Sequence, residues 1–115
     1  MVVVYGIKQC DTCRKALKWL KGQGIEHRFH DLRVDGLDRS TIEAWLDSEF
    51  AEQLLNRRST TWRQLDESQR NANDVAALIL EFPTLLKRPV FSASREIIAV
   101  GFSASVRNDL LEKTR

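Results

Sequence analysis

The sequence has few of the features that mark secreted or membrane proteins. It contains two cysteines and two prolines in 115 residues, and one closely spaced cysteine pair closes too small a loop to staple a fold. Beyond the N-terminus the longest apolar stretch, Val75 to Leu80, is far shorter than the ~20 residues that a membrane-spanning helix needs. The N-terminus lacks the positive flank and apolar run of a secretory signal, so we expect a cytoplasmic protein with no membrane segment.

Charge of one sign is not in excess either. Lys and Arg number 18 and Asp and Glu 16, giving a net charge of +2, which argues against direct nucleic-acid binding over the whole surface. Apolar residues make up 43% and charged residues 30%, the proportions of a soluble globular protein. Because repeats, low-complexity tracts and Pro/Gly/Ser-rich linkers are absent, the sequence predicts a single domain over residues 1–115.

The N-terminal third predicts a strand, a helix and a second strand. Residues 2–5 form a continuous apolar run, typical of a central strand covered on both faces. Apolar residues then recur at the spacing of one helical face, at Cys13, Ala16, Leu17 and Leu20. We expect this helix to end at Gly22 or Gly24. Alternation over residues 25–32 predicts a strand parallel to the first through a right-handed crossover.

The middle of the sequence predicts further helices. Ser40 and Glu43 have the spacing of a capping box, which begins a helix. Residues 56–62 are polar and are expected to be irregular. Asn73 can cap a later helix, and Pro83 should end that helix because proline has no N–H to donate.

The C-terminal part predicts an antiparallel hairpin over residues 90–91 and 97–100, joined through residues 94–96, and then a helix capped by Ser103. The element order is that of an α/β, thioredoxin-like fold: a mixed four-stranded sheet with an all-helical insertion at about residues 37–86. In open α/β sheets, reactive groups gather beyond the carboxyl ends of the strands, where the loop that carries Cys10 falls.

The spacing of Cys10 and Cys13 predicts redox chemistry. Cys10 opens a helix, where unpaired backbone N–H groups and the helix dipole favour a thiolate. The charge of Asp11 opposes this effect. Three neighbouring cations further favour the thiolate: Lys8, Arg14 and Lys15. Cys13 follows one turn later, so its sulfur can reach Cys10 and resolve a mixed disulfide.

Two other interpretations of the cysteines compete with this one. Buried thiols often act as small hydrophobes, which suits Cys13 on the apolar stripe but not Cys10. Together with His27 and His30, the pair also has a spacing similar to that of a zinc finger. Here, however, the cysteines open a helix and the histidines point to opposite faces of a strand. We therefore expect no metal site, and interpret the histidines as one partly buried and one exposed structural residue.

Four segments together resemble the ArsC/Spx/YffB family: YGIKQCDTCRKA at residues 5–16, LNRRSTTWR at 55–63, KRPV at 87–90 and VGF at 100–102. The match spans nearly the whole chain and is most similar to the short YffB-like reductases. The resemblance implies a thioredoxin-like fold with a helical insertion and a nucleophilic Cys10.

The resemblance also implies a set of substrate-binding residues. Arg57 and Arg88 match the family's arginines in its N-R and R-P motifs and would bind an oxyanion or glutathione. A guanidinium group holds such anions through two hydrogen bonds and lowers the pKa of a nearby thiol. Pro89 matches a proline that follows a cis bond, which would expose backbone to a peptide-like substrate. Lys8 and Thr12, in the cysteine segment, complete the set.

Two departures from the family pattern bear on activity. Arsenate reductases of this type carry a third oxyanion-binding arginine in the last hairpin, where this sequence has AVGF at residues 99–102. The departure argues against arsenate turnover. Those enzymes and many YffB-like members also lack a counterpart of Cys13, whereas Spx-type regulators have both cysteines.

The resemblance therefore implies two candidate functions. In the first, a thiol-dependent reductase, Cys10 forms a mixed disulfide or a thiol adduct with a small anionic or thiol substrate, and Cys13 or glutathione resolves it. Glutathione is the expected co-substrate, electrons come from glutathione, glutaredoxin or thioredoxin, and no bound cofactor or metal is implied. In the second, a disulfide between Cys10 and Cys13 is the switch of an Spx-like regulator that binds the α subunit of RNA polymerase.

Overall fold

The computed structural model describes residues 1–114, which form two compact units. The sheet unit combines Met1–Gly36 with the segment that begins at Arg88. The helical unit is Leu37–Lys87. No helix in the described part of the chain has the combination of length and apolar character that crossing a membrane demands.

The four strands form one mixed sheet in the order β2-β1-β3-β4. They are β1 (Val2–Gly6), β2 (His27–Asp31), β3 (Val90–Ala93) and β4 (Glu96–Val100). β1 pairs parallel with β2 and antiparallel with β3, and β3 pairs antiparallel with β4. The predicted thioredoxin-like sheet is thus confirmed, with its first strand in a central position and its first crossover parallel.

Residues 1–114 contain seven α-helices and one 3₁₀ turn. They are α1 (Asp11–Gly22), α2 (Arg39–Leu46), α3 (Ala51–Leu54), α4 (Thr60–Gln64), α5 (Glu67–Arg70), α6 (Val75–Glu81), the 3₁₀ turn Pro83–Leu85, and α7 (Ala104–Lys113). α1 and α7 belong to the sheet unit, and the others to the helical unit.

The core of the sheet unit fixes β1 and α1, and thereby the loop between them. Val4 and Phe91 are paired across β1 and β3, and both are fully buried. α1 adds Ala16 and Leu20 to the same cluster, and α7 adds Leu110. Burial of each large apolar side chain contributes ~1.5–3 kcal/mol. The start of α1 is therefore held by packing on the residues that follow it.

The C-terminal hairpin and helix agree with the sequence prediction, with one refinement. β3 and β4 are joined by a two-residue turn, Ser94 and Arg95, whose φ angles are 52° and 67°. Positive φ at both positions matches the twist of a tight hairpin. Glu96, expected in the connection, belongs to β4. Ser103 caps α7 as predicted, by accepting a hydrogen bond from the N–H of Val106 at 3.2 Å.

In the helical unit, α2 and α6 begin after different residues from those predicted. α2 follows Asp38, so Ser40 lies inside the helix and the expected capping box is absent. Asp74 caps α6 in place of Asn73. The Asp74 carboxylate also accepts two hydrogen bonds from Arg39, each at 2.8 Å. A charged carboxylate gains from the helix N-terminus and from this ion pair, whereas an amide gains from neither charge.

The segment expected to be irregular, residues 56–62, contains the start of α4. Ser59 caps this helix by accepting a hydrogen bond from the N–H of Trp62 at 3.1 Å. Asp66 and Gln69 form a capping box for α5. Because α3, α4 and α5 span one turn or little more, they leave no apolar periodicity for sequence reasoning to detect.

The helical unit has buried apolar side chains of its own, among them Ile42, Leu54 and Ile79. One cluster in this unit has the buried members Leu65, Leu78 and Leu85, with Leu55, Trp62 and Phe82 packed against them. α6 ends before Pro83, as predicted, and the chain continues into the 3₁₀ turn.

Candidate active site

The loop between β1 and α1 places Cys10 at the N-cap of α1. The N–H of Cys10 donates to the carbonyl of Ile7 at 3.0 Å, and its carbonyl accepts from the N–H of Arg14 at 3.0 Å. The backbone is therefore held on both sides of the cysteine. Cys10 is half-buried.

Cys13 lies in the first turn of α1 and is only 1% exposed. Gly6, the last residue of β1, makes room for it: a Cβ at Gly6 would lie 2.5 Å from the Cys13 Sγ atom and 3.2 Å from Cε1 of Phe29. Sequence reasoning did not identify Gly6 as part of the site. The available hint was its position, at the end of the strand that precedes the cysteine loop.

The surroundings of Cys10 favour its thiolate. Burial by itself raises the pKa of Cys10, but three groups outweigh burial and bring the pKa below its ordinary value of 9.0. They are the backbone N–H of Cys13, the Cys13 thiol, and the guanidinium group of Arg88, which acts by hydrogen bonding and by charge. In this structure, Cys13 and Arg88 therefore account for the expected preference of the Cys10 sulfur for its anionic form.

The surroundings of Cys13 favour its thiol. Burial raises the pKa of Cys13 to about 12, and the neighbouring Cys10 sulfur adds to the rise by hydrogen bonding and by charge. The backbone N–H of Ile7 and the charge of Arg88 oppose this shift but do not outweigh it. Ile7, like Gly6, was missed by sequence reasoning, because only the folded loop brings its N–H to the sulfur.

Arg88 lies two residues before the start of β3 and near both cysteines, since its charge acts on the pKa of each. Its Nε and Nη1 atoms are buried and have no hydrogen-bond partner among residues 1–114. Buried donors of this kind are uncommon in folded proteins. These two N–H groups are therefore left without an acceptor, and a role for Arg88 in binding an anion stays a prediction.

Pro89 follows a cis peptide bond with Arg88, as the resemblance implied. The carbonyl of Pro89 accepts a hydrogen bond from the N–H of Gly101 at 2.8 Å. Gly101 has a φ of 81°, a backbone conformation that glycine adopts at little cost. The residues that follow β4 thus hold the start of β3 in place.

Lys8 and Thr12 are both exposed near Cys10, and their roles in substrate binding stay predictions. Lys8 and Cys13 line an open cavity of about 590 Å³, whose walls include Leu17 and Phe29. The carbonyl of Lys8 also accepts a hydrogen bond from Nε of Arg14 at 3.0 Å. The side chain of Arg14 therefore helps to fix the cysteine loop.

Arg57 belongs to the helical unit, in the segment between α3 and α4. Its side chain is exposed, and its guanidinium carbon lies 5.7 Å from the centroid of the Trp62 ring. Such cation–π contacts hold an arginine side chain in one orientation. A role for Arg57 in substrate binding also stays a prediction.

The histidines have structural partners on the backbone. A ring nitrogen of His27 lies 2.7 Å from the carbonyl oxygen of Ile25, and one of His30 lies 2.6 Å from that of Gly36. Both side chains are half-buried, so the prediction that one of them is exposed was wrong. Across residues 1–114, no three His, Cys, Asp or Glu side chains form a group that could hold a metal ion.

Comparison with known proteins places this chain in a family. A model of the ArsC family matches residues 5–109. A Haemophilus influenzae protein is 46% identical over 107 residues, which cover 90% of this chain and 92% of that protein. The solved structure of a YffB protein is 34% identical, with a TM-score of 0.82 and coverage of 99% of this chain and 98% of that one.

Two further relatives show the range of names in this group. An arsenate reductase (ArsC) related protein from Brucella melitensis is 39% identical, with a TM-score of 0.75 over 96% of this chain and 94% of that one. The global transcriptional regulator Spx of Lactiplantibacillus plantarum is 29% identical over 120 residues, covering 100% of this chain and 90% of Spx. The family match along nearly the whole chain, together with relatives well above 30% identity, shows that this chain belongs to the ArsC family.

Proposed function

We propose that this protein is a thiol-dependent reductase, in which Cys10 is the nucleophile and Cys13 the resolving thiol. The observation that carries the proposal is the contrast between two thiols in one helical turn. The pKa of Cys10 is lowered, whereas that of Cys13 is raised to about 12. In the proposed exchange, one cysteine attacks the substrate as a thiolate, and the second stays protonated until it attacks the mixed disulfide.

The proposed reaction on a disulfide substrate consists of two thiol–disulfide exchanges. First, the Cys10 thiolate attacks one sulfur of the substrate, the substrate S–S bond breaks, and the other half leaves as a thiolate. Then the sulfur of Cys13 attacks Cys10, the mixed disulfide breaks, and the second half leaves with the proton of Cys13 as a thiol. Two electrons from two glutathione thiols, or from the dithiol of glutaredoxin or thioredoxin, restore both cysteines.

Formation of the mixed disulfide itself activates Cys13. In the free protein the Cys10 sulfur raises the pKa of Cys13 through its hydrogen bond and its charge. Once Cys10 is bonded to a substrate sulfur, it carries no negative charge, and that contribution to the pKa disappears. The charge of Arg88, which lowers the pKa of Cys13, remains. The resolving thiol therefore ionises more readily after the first step than before it.

Arg88 supplies the anion-binding part of the proposal. Its two buried N–H groups without partners lie beside the nucleophile, where they suit a carboxylate of glutathione or an oxyanion of a small substrate. Pro89, Lys8 and Thr12 adjoin Arg88 or Cys10 in the sheet unit. Arg57 is proposed as a second anion-binding arginine on the strength of the N-R motif, and no bound cofactor is required.

The test is reduction of a low-molecular-weight disulfide, coupled to glutathione, by the wild type and two variants. We expect Cys10→Ser to abolish turnover, because a hydroxyl group does not ionise in this range and cannot replace the thiolate. Cys13→Ser should retain the nucleophile but become slower and dependent on added glutathione to resolve the mixed species. Mass spectrometry should then find a glutathione adduct on Cys10.

Equal turnover by the wild type and Cys10→Ser would refute the reductase proposal. Arg58→Gln is a suitable control, because Arg58 is an exposed neighbour of Arg57 in the helical unit. Its turnover should match that of the wild type.

The presence of both cysteines favours a second candidate, a redox-responsive regulator similar to Spx. The Spx of Lactiplantibacillus plantarum is similar to this chain along its whole length. In this proposal the disulfide between Cys10 and Cys13 changes a surface that binds the α subunit of RNA polymerase. Pull-down of purified α subunit by the reduced and oxidised protein distinguishes the two, since only the regulator should retain it in one state.

A further inference from the structure

The exposed face of α1 is strongly basic. It carries four cations, Arg14, Lys15, Lys18 and Lys21, against the single carboxylate of Asp11. Four positive charges and one negative charge give this helix a net charge of +3, which exceeds the +2 of the whole chain. Within residues 1–114, Arg14 lies 3.6 Å from Asp11, whereas no ion pair joins the three lysines to an acid. Their charges are therefore uncompensated in this part of the chain.

The open cavity of about 590 Å³ lies beside this basic face, and its volume is within the range of ~300–1,000 Å³ usual for binding sites. Its apolar walls are Ile7, Leu17, Phe29 and Val34. Asp31 also lines it, but the carboxylate of Asp31 accepts hydrogen bonds from the backbone N–H groups of Arg33 at 2.9 Å and Val34 at 3.4 Å. The cavity therefore offers mainly apolar surface to a ligand.

The cavity adjoins both the basic face and the cysteines. On α1, Leu17 lies three residues after Arg14 and four before Lys21, spacings at which side chains are neighbours on a helix surface. Cys13 is another wall of the cavity, and its thiol forms a hydrogen bond with the Cys10 sulfur. A group in the cavity therefore has cations on one side and the two sulfurs on the other.

We propose that α1 and this cavity dock an acidic polypeptide segment whose cysteine reacts with Cys10. An apolar side chain of the partner fills the cavity, and its carboxylates lie against Lys18 and Lys21. An apolar anchor in a pocket, surrounded by charged groups, is a usual arrangement at protein interfaces. The inference rests on the proposed function, because it uses Cys10 as the nucleophile, and it makes a protein disulfide the substrate.

The dimensions of this surface suit a short extended segment. At a rise of ~1.5 Å per residue, Lys18 lies ~12 Å beyond Cys10 along the helix. An extended chain covers that distance in about three or four residues of ~3.3 Å each. Carboxylates at that separation from the partner's cysteine therefore reach Lys18 while the cysteine meets Cys10. Charges of opposite sign also speed the encounter, over a Debye length of ~8 Å at physiological ionic strength.

The test measures the reaction of the reduced wild type with synthetic peptides whose central cysteine carries thionitrobenzoate as a mixed disulfide. The Cys10 thiolate attacks the peptide sulfur, the peptide–thionitrobenzoate bond breaks, and the coloured thionitrobenzoate leaves as a thiolate. The first peptide has leucine two residues to each side of the cysteine and two glutamates at each end, so it can bind in either chain direction. The second has lysines in place of the glutamates, and the third has serines in place of the leucines.

Each rate constant is divided by that of the same peptide with 2-mercaptoethanol, which removes differences in the peptides' own reactivity. We expect the acidic leucine peptide to react at least ten times faster than the basic peptide, because opposite charges attract it to α1. It should react at least three times faster than the acidic serine peptide, because serine leaves the cavity unfilled.

Two charge reversals at exposed positions locate the effect. Lys18→Glu should slow the acidic leucine peptide at least threefold, because a carboxylate then faces those of the peptide. Arg95→Glu changes the net charge equally and should leave the rate unchanged. Because β1 and β3 are antiparallel, with Tyr5 opposite Val90, the turn that contains Arg95 lies at the edge of the sheet opposite the cysteine loop.

Equal normalised rates for the acidic and basic leucine peptides overturn the inference. So do equal rates for the two acidic peptides, or equal effects of Lys18→Glu and Arg95→Glu. The peptide comparison uses the wild type alone, so it decides the matter whatever the stability of the variants. Release of thionitrobenzoate by Cys10→Ser at the wild-type rate overturns the proposed function instead.

Discussion

Among single residues, the two thiols differ in their contacts more than in their positions on α1. Cys10 is half-buried and lies near Arg88. Cys13 is packed against Gly6, and its sulfur accepts a hydrogen bond from the backbone N–H of Ile7. The same chemical group is therefore driven toward the anion at one position and toward the neutral form at the other. Two predictions at this scale test the environment of Cys13.

Gly6→Ala should destabilise the protein by ~1–3 kcal/mol, the usual cost of forcing an extra methyl group into a packed site. The physical reason is the 2.5 Å that would separate the new Cβ from the Cys13 Sγ atom. Urea unfolding of the reduced protein measures the change. Removing the sulfur in Gly6→Ala/Cys13→Ala should restore part of the loss.

Gly22→Ala is the matched control, because nothing lies within 4 Å of a Cβ at Gly22 in α1. It should leave stability unchanged or raise it by ~0.4–1 kcal/mol through reduced freedom of the unfolded chain. Equal effects of the two substitutions would show that the packing of Gly6 on Cys13 is not the cause.

The raised pKa of Cys13 predicts a loss of stability in alkaline solution. Above pH 9.0 the unfolded chain releases the Cys13 proton, whereas the folded chain keeps it until about 12. Ionisation therefore favours the unfolded state between these values, by up to ~1.4 kcal/mol per pH unit. Below pH 9.0 the Cys13 thiol keeps its proton in both states, so the stability that its folded environment gives to the protonated thiol is fully present. Cys10 has the opposite shift, and well above pH 9.0 it adds no slope, because it is then ionised in both states.

Cys13→Ala has no thiol to titrate at this position. The free energy of unfolding of the reduced wild type should therefore fall more steeply than that of Cys13→Ala between about pH 9 and pH 11. Urea unfolding at several pH values measures both slopes. Parallel curves for the two proteins would contradict the assigned ionisation of Cys13.

At the scale of elements, a short polar side chain caps the first turn of α4, α5, α6 and α7. Ser103, Ser59 and Asp74 each accept a hydrogen bond from a backbone N–H in the first turn of their helix. α1 is the exception that matters for function, because its N-cap is the candidate nucleophile, Cys10. The N-terminus of α1 thus carries the candidate nucleophile, whereas those of α4, α6 and α7 carry side chains that stabilise the helix.

Ser103→Ala should cost about 1 kcal/mol of stability, the usual effect of removing a serine cap, since the N–H of Val106 then loses its partner. Urea unfolding measures the loss. Ser105→Ala, an exposed position within α7, should be neutral or slightly stabilising because alanine is the better helix former. A cost at Ser105 as large as that at Ser103 would argue against the cap.

The sequence was sufficient for the strands, for α1, for α7 and for the place of Cys10, because each has a period, a cap or a turn that is visible locally. It was not sufficient for α3, α4 and α5, which are too short to show a period, or for the choice between Asn73 and Asp74. That choice depends on Arg39, which lies far away in the chain. The roles of Gly6 and Ile7 were missed for a similar reason, since both are contacts that only the folded loop creates.

At the scale of the whole molecule, the sheet joins the two ends of the sequence. β1 and β2 come from the N-terminal segment and β3 and β4 from the C-terminal one, and the pairing of β1 with β3 connects them. In that pairing Val4 lies opposite Phe91, and both are fully buried. Cys10 and Arg88 are brought near each other by this same connection, since one follows β1 and the other precedes β3.

Phe91→Ala should destabilise the protein by ~3–5 kcal/mol, as is usual when a buried phenylalanine is truncated. Hydrogen exchange should show the amides of all four strands losing protection together, because β3 joins β1 to β4 in the sheet. Val34→Ala, at a position 80% exposed, should change stability by no more than ~0.5 kcal/mol. Loss of protection confined to β3 and β4 would contradict a cooperative sheet.

The burial of Cys13 beside an accessible cysteine also means that thiol labelling can measure local opening of the structure. A bulky maleimide reaches Cys10 in the native state, whereas it reaches Cys13 only in molecules whose α1 has separated from β1. Native molecules therefore carry one label, at Cys10, and molecules that have opened carry a second, at Cys13. Mass spectrometry separates the two species by the mass of one reagent. The rate of double labelling then reports how often this helix leaves the sheet, with no probe added to the sequence.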